Sequence, residues 1–185
     1  MDIMENQKNL NNCNNNLVEA GQFSLNDKKH QTALSIIFVL LAGIGVGVIF
    51  LTKVYVGNIL PAWAIVLACF AFILIHELIH IIFMSIFAKG KVKASFKFPT
   101  IAVGSDSYFS KFQYIIIALA PVVILGIAMV LCLALTPHKL LFAILTILNF
   151  ASASGDYILV LFASKQSKNA YFQDNSSETC IFERM

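Results

Sequence analysis

Residues 62–87 are apolar almost throughout, yet this run contains His76-Glu77-Leu78-Ile79-His80. About 20 such residues suffice to cross a bilayer. Ionisable groups inside a span are costly and mark functional sites. On a helix, HExxH sets two imidazoles at i and i+4 on one face, where they can hold zinc, with a carboxylate beside them to activate water. A chain with this run can form a membrane helix with a metal site inside it.

Composition agrees with a membrane protein. The chain has 185 residues, 58% hydrophobic and 12% charged, where a soluble domain carries about a quarter charged. A net charge of +3 offers no case for nucleic acid as a partner. Cys13, Cys69, Cys132 and Cys180 are scattered, without CxxC, and read as neither a disulfide framework nor a thiolate zinc site. No cleavable signal peptide is expected, because the first apolar run follows about 32 polar residues and is too long for a signal core.

The pattern predicts four spans, Ala33–Tyr55, Ala62–Phe87, Gln113–Leu135 and Lys139–Phe162. Gly43, Gly45 and Gly47 in the first favour close helix approach. Asn58 and Pro61 mark a turn, as do Thr136-Pro137-His138, and Pro121 predicts a kink in the third span. Three segments result. Residues 1–32 form a polar, Asn-rich and disordered N-terminal segment. Residues 33–163 form the transmembrane domain, and residues 164–185 a polar tail.

Lysine placement orients the spans. Lys89, Lys91, Lys93, Lys97 and Lys111 crowd the middle loop, Lys28, Lys29, Lys165 and Lys168 flank the outer ends, and Lys53 and Lys139 stand alone in the other two turns. The positive-inside rule then places both termini and the middle loop in the cytoplasm. In that loop Val92, Ala94, Phe96 and Phe98 alternate with polar residues, and Ile101-Ala102-Val103 follows Pro99. A period of two predicts a small cytoplasmic β-hairpin. It is either an edge for an extended substrate or a basic hairpin resting on anionic headgroups. The expected fold is an all-α membrane bundle of four helices with this hairpin between the second and third.

Away from the lysines at the span ends, only His76, Glu77, His80 and Asp156 are charged or imidazole groups within the spans. Catalytic zinc takes three protein ligands and keeps one position open. His76 and His80 supply two, and Asp156 is the carboxylate within reach. His80 lies ~10 Å and Asp156 ~9–12 Å from the cytoplasmic end of its span, at 1.5 Å per residue. Glu77, turned from the ligand face, is the expected general base and acid. Asn149 lies two turns from Asp156 and is a candidate to hold substrate backbone or an oxyanion. Small residues Ala151–Gly155 between them can loosen the helix. Tyr108, Phe109, Phe112 and Tyr114 read as an interfacial aromatic belt. Asp174 receives no role.

HELIH in one span, Leu119-Ala120-Pro121 in the next, and Asn149 followed by Ser154-Gly155-Asp156 in the last resemble an uncharacterised bacterial membrane family of zincin peptidases. That family is similar to the site-2 protease class of intramembrane metalloproteases. The resemblance covers the chain from Ile75 to the tail. It implies a bacterial cell-membrane protein with Asp156 as third ligand and Asn149 as the asparagine of an NxxPxxxxDG-type motif. This chain lacks that proline, has a spacing one residue shorter, and carries Tyr157 in place of the glycine.

The expected activity is zinc-dependent hydrolysis of peptide bonds in or near the membrane. The alternative is a metal-binding membrane protein without hydrolase activity, a sensor or accessory subunit. An ion transporter would need polar groups along a whole path, and these lie at one depth.

Overall fold

The computed structural model describes residues 17–53, 59–97, 100–175 and 178–184. The Asn-rich opening through Asn16, Cys13, the turn at Asn58 and the Phe98-Pro99 step lie outside them. Four helical stretches are long and apolar enough to cross a membrane. They are α1 (Lys28–Thr52), α2 (Ala62–Phe87), α3 (Lys111–Leu135) and a broken fourth, α4 (Lys139–Ser152) followed by α5 (Ser154–Lys165). The 26 residues of α2 reach ~39 Å at 1.5 Å each, beyond the ~30 Å of a bilayer's hydrocarbon core.

Helix α3 is the central one, packed against α2, α4 and α5, while α1 lies against α4 and α5. Its start is set by a capping box: the Ser110 N–H donates to Gln113 Oε1 at 2.9 Å and the Gln113 N–H to Ser110 Oγ at 3.4 Å. Phe72, Leu125 and Leu145 pack together within the bundle. Outward faces stay apolar: Val39, Ile44, Trp63, Leu67 and Leu135 are all exposed. Covering such a side chain is worth about 1.5–3 kcal/mol, so these faces match lipid better than water. Of the three glycines in α1, Gly45 meets a neighbour, since a Cβ there would run into the Ile147 side chain of α4; Gly43 and Gly47 have nothing within 4 Å of that position among the described residues.

The all-α expectation misses a β layer at one end of the bundle. The predicted hairpin is there as β2 (Val92–Lys97) paired antiparallel with β3 (Thr100–Ser105). A second sheet joins the two ends of the described chain. Strands β1 (Leu17–Phe23), β4 (Phe109–Ser110), β5 (Ala170–Asp174) and β6 (Thr179–Arg184) lie in the order β1-β6-β5-β4, all neighbours antiparallel. A Gly104–Asn175 bridge ties the sheets together. Leu17–Phe23, within the segment expected to be disordered, is a strand paired with the polar tail. The physical reason is non-local: β1 is stable only against β6, at the far end of the chain.

The β layer has its own core. Phe109, Phe172, Ala170 and Ile181 pack on Met84, Tyr114, Ile117 and Ala163 from the helix ends. Phe109 and Tyr114, expected in an interfacial belt, are buried here, while Phe112 is exposed. Tyr114 stacks on Phe172 with ring centroids 4.8 Å apart. Burial, then the carboxylates of Glu19, Glu178 and Asp174, push the Cys180 thiol up and keep it neutral. Cys69, Cys132 and Cys180 are free thiols.

Candidate metal centre

Helix α2 carries the two histidines one turn apart, with ring centroids 5.1 Å apart and planes at 70°. Asp156 comes from the first turn of α5, where the helix dipole favours a negative charge. The break at Ala153 makes that first turn: the small run 151–155 ends one helix and starts the next, and so aims the carboxylate inward.

The aspartate spans both rings. Asp156 Oδ2 lies 3.5 Å from His76 Nε2, and Oδ1 lies 3.4 Å from His80 Nε2. These separations exceed the ~2.7–2.9 Å of a charge-assisted hydrogen bond. Each is close to the ~3.4 Å between donor atoms when two bonds of ~2.1 Å meet at a tetrahedral angle, through a different carboxylate oxygen in each case. One ligand atom from each of the three side chains lies within 4.8 Å of the others. The donor set is two imidazoles and a carboxylate, suited to zinc. Three side chains expected from sequence to share a metal are therefore brought together.

The imidazoles are held differently. His80 Nδ1–H donates to the Ile117 carbonyl of α3 at 3.0 Å, which leaves Nε2 free to face the metal position. His76 is buried, and its Nδ1 has no protein partner among the described residues.

His76, His80 and Asp156 all line one cavity of about 480 Å³. Glu77 lines it too, beside the group that could hold a metal but outside it. Its other walls include Phe23, Leu25 and Asn26 near the N-terminus and Asp174, Glu178 and Thr179 of the terminal sheet. Sequence reasoning missed these walls, because the strands that carry them pair across the length of the chain. The Tyr114 hydroxyl anchors the wall at Thr179 Oγ1, 3.0 Å away, and at Asp174 Oδ2, 3.4 Å away.

Asn149 sits elsewhere. It is fully buried, its amide donates to the Val122 carbonyl at 2.9 Å, and it does not line the cavity. Gly126 leaves the room this needs, since a Cβ there would stand 3.3 Å from Asn149 Nδ2.

A family model described as "Putative zincin peptidase" matches residues 69–171, more than half of the chain. The chain belongs to this zincin-peptidase family. No curated protein and no solved structure matches it. The segment shared with the zincin-peptidase family holds HExxH, Pro121, Asn149 and Asp156. Membership in it points to zinc and to a metallopeptidase, and the His76–His80–Asp156 group is where the metal fits. Strand β1, the Leu25-Asn26 wall and strand β6 lie outside the matched residues. In this chain, part of the cavity is thus built by residues beyond the shared segment.

Proposed function

We propose that this chain is a zinc-dependent intramembrane endopeptidase of the site-2-protease type. The observation that carries the reading is Asp156 reaching both HExxH imidazoles in a cavity that Glu77 also lines. His76, His80 and Asp156 hold the metal. Zinc there supplies Lewis-acid activation of water and polarisation of the scissile carbonyl. Glu77 takes the proton of the attacking water and returns it to the leaving amine. The apolar outer faces keep the site in the bilayer.

The β layer and the lysines support one orientation. The N-termini of α1 and α3 and the C-termini of α2 and α5 all lead into strands or their connections, and the lysine-rich segments lie at these ends. By the positive-inside rule this end, with both termini, is cytoplasmic. Substrates are membrane-embedded or membrane-adjacent peptides, such as transmembrane segments of regulators or signal-peptide remnants. Such a segment must unwind to expose a peptide bond, and the β2–β3 hairpin can take the extended chain by strand addition at an edge.

The test is Glu77→Gln in the purified full chain, assayed on peptides derived from transmembrane segments. Cleavage should fall ~10²–10⁴-fold, the usual worth of a general base, with zinc content unchanged. Equal cleavage by both proteins would refute the assignment of Glu77. A zinc-loaded chain that cleaves nothing, with a cellular phenotype lost in His80→Ala but kept in Glu77→Gln, would favour the non-hydrolytic metal protein.

A further inference from the structure

In a regular helix the N–H of residue 121 donates to the carbonyl of residue 117. Residue 121 of α3 is proline, which has no N–H and whose ring crowds the carbonyl four residues back. The carbonyl left without its helical donor is that of Ile117. This is the same carbonyl that receives His80 Nδ1–H at 3.0 Å. Pro121 and Ile117 are both buried, and a bare carbonyl in a membrane interior is strongly disfavoured. Each group supplies what the other lacks: the carbonyl needs a donor, and the imidazole needs its Nδ1 proton held so that Nε2 is presented to the metal.

We propose that Pro121 is a positioning residue of the metal centre. By removing the donor that would occupy the Ile117 carbonyl, it reserves that carbonyl for His80 and fixes the histidine's tautomer and ring orientation. This rests on the metal reading of the site, and it adds a residue that touches neither metal nor substrate. Among the described residues His76 Nδ1 has no such partner, so the two HExxH histidines are unequal and Pro121 acts on one of them.

The experiment uses the full chain in detergent, unsubstituted and as Pro121→Ala, with two readouts. The first is zinc affinity, measured by competition with a chromophoric chelator. Alanine restores an N–H that competes for the Ile117 carbonyl. Affinity should fall ~10–100-fold, as for loss of an outer-shell partner. The second is the ¹⁵N spectrum of the His80 imidazole in the metal-free protein, assigned by its absence in His80→Ala. The unsubstituted chain should show the Nδ1–H tautomer, and Pro121→Ala should shift it towards Nε2–H, facing Asp156. Unchanged zinc affinity and tautomer in Pro121→Ala would overturn the proposal. So would an Nε2–H tautomer in the unsubstituted chain, a result that no folding defect of a variant can produce. Absence of zinc binding with the Nδ1–H tautomer intact would count against the metal reading alone.

Discussion

The Tyr114 hydroxyl lies 3.0 Å from Thr179 Oγ1, a contact that joins the central helix to the last strand. Both groups are buried, and the cavity that holds the metal ligands is closed on that side by Thr179 and Asp174. Tyr114→Phe keeps the ring and its stack on Phe172 but strands the threonine hydroxyl. A loss of about 1–3 kcal/mol is expected, read as a lower unfolding midpoint of the full chain in detergent. An unchanged midpoint would mean that the terminal sheet does not depend on this bond.

The metal assignment predicts a stoichiometry. The unsubstituted chain should hold about one zinc, as a three-ligand catalytic site does, and Asp156→Ala should hold far less under the same dialysis. Stripping the metal with a chelator should abolish peptide cleavage, and added zinc should restore it. Full zinc occupancy in Asp156→Ala, measured by metal analysis, would remove the aspartate from the ligand set.

Gly45 tests how the outer helix is seated. A side chain there meets Ile147, so Gly45→Leu should cost about 1–3 kcal/mol by overpacking, and trimming the opposing residue with Ile147→Ala should recover part of it. Gly43→Ala and Gly47→Ala meet nothing and should leave the unfolding midpoint in place. Equal effects at all three positions would contradict the specific α1–α4 contact.

Asn149 separates two roles. Its hydrogen bond to the Val122 carbonyl predicts that Asn149→Ala lowers stability by about 0.6–2 kcal/mol, the range for interhelical bonds in membranes, with zinc affinity kept. A substrate or oxyanion role would instead appear as a fall in cleavage rate in protein that remains fully folded. Measuring midpoint and rate on the same preparation decides between them.

Much of the site was legible in the order of residues. HExxH fixes two imidazoles one turn apart wherever it is helical, and α2 runs over the expected residues Ala62–Phe87. Asp156 could be placed beside the histidines because a membrane chain carries so few charges that a census of them is nearly a list of functional candidates. The small residues before Asp156, expected only to loosen the helix, are where it breaks at Ala153. Pro121 was visible as a proline in a helix, but its pairing with His80 was not, because nothing local says which neighbour will reach the carbonyl it frees.

The terminal sheet was hidden for a related reason. Short strands such as Ala170–Asp174 alternate over too few residues to stand out, and they are stable only against partners far along the chain. The sequence by itself determined the apolar helices, the histidine face and the identity of the carboxylate, because those follow from composition and from the fixed 3.6-residue repeat. Only the tertiary structure decided that Asp156 bridges both rings, that Ile117 holds His80, that Asn149 turns to Val122, and that the two ends of the chain close the cavity. Those are contacts between distant segments, and their geometry exists only once the helices and strands have packed.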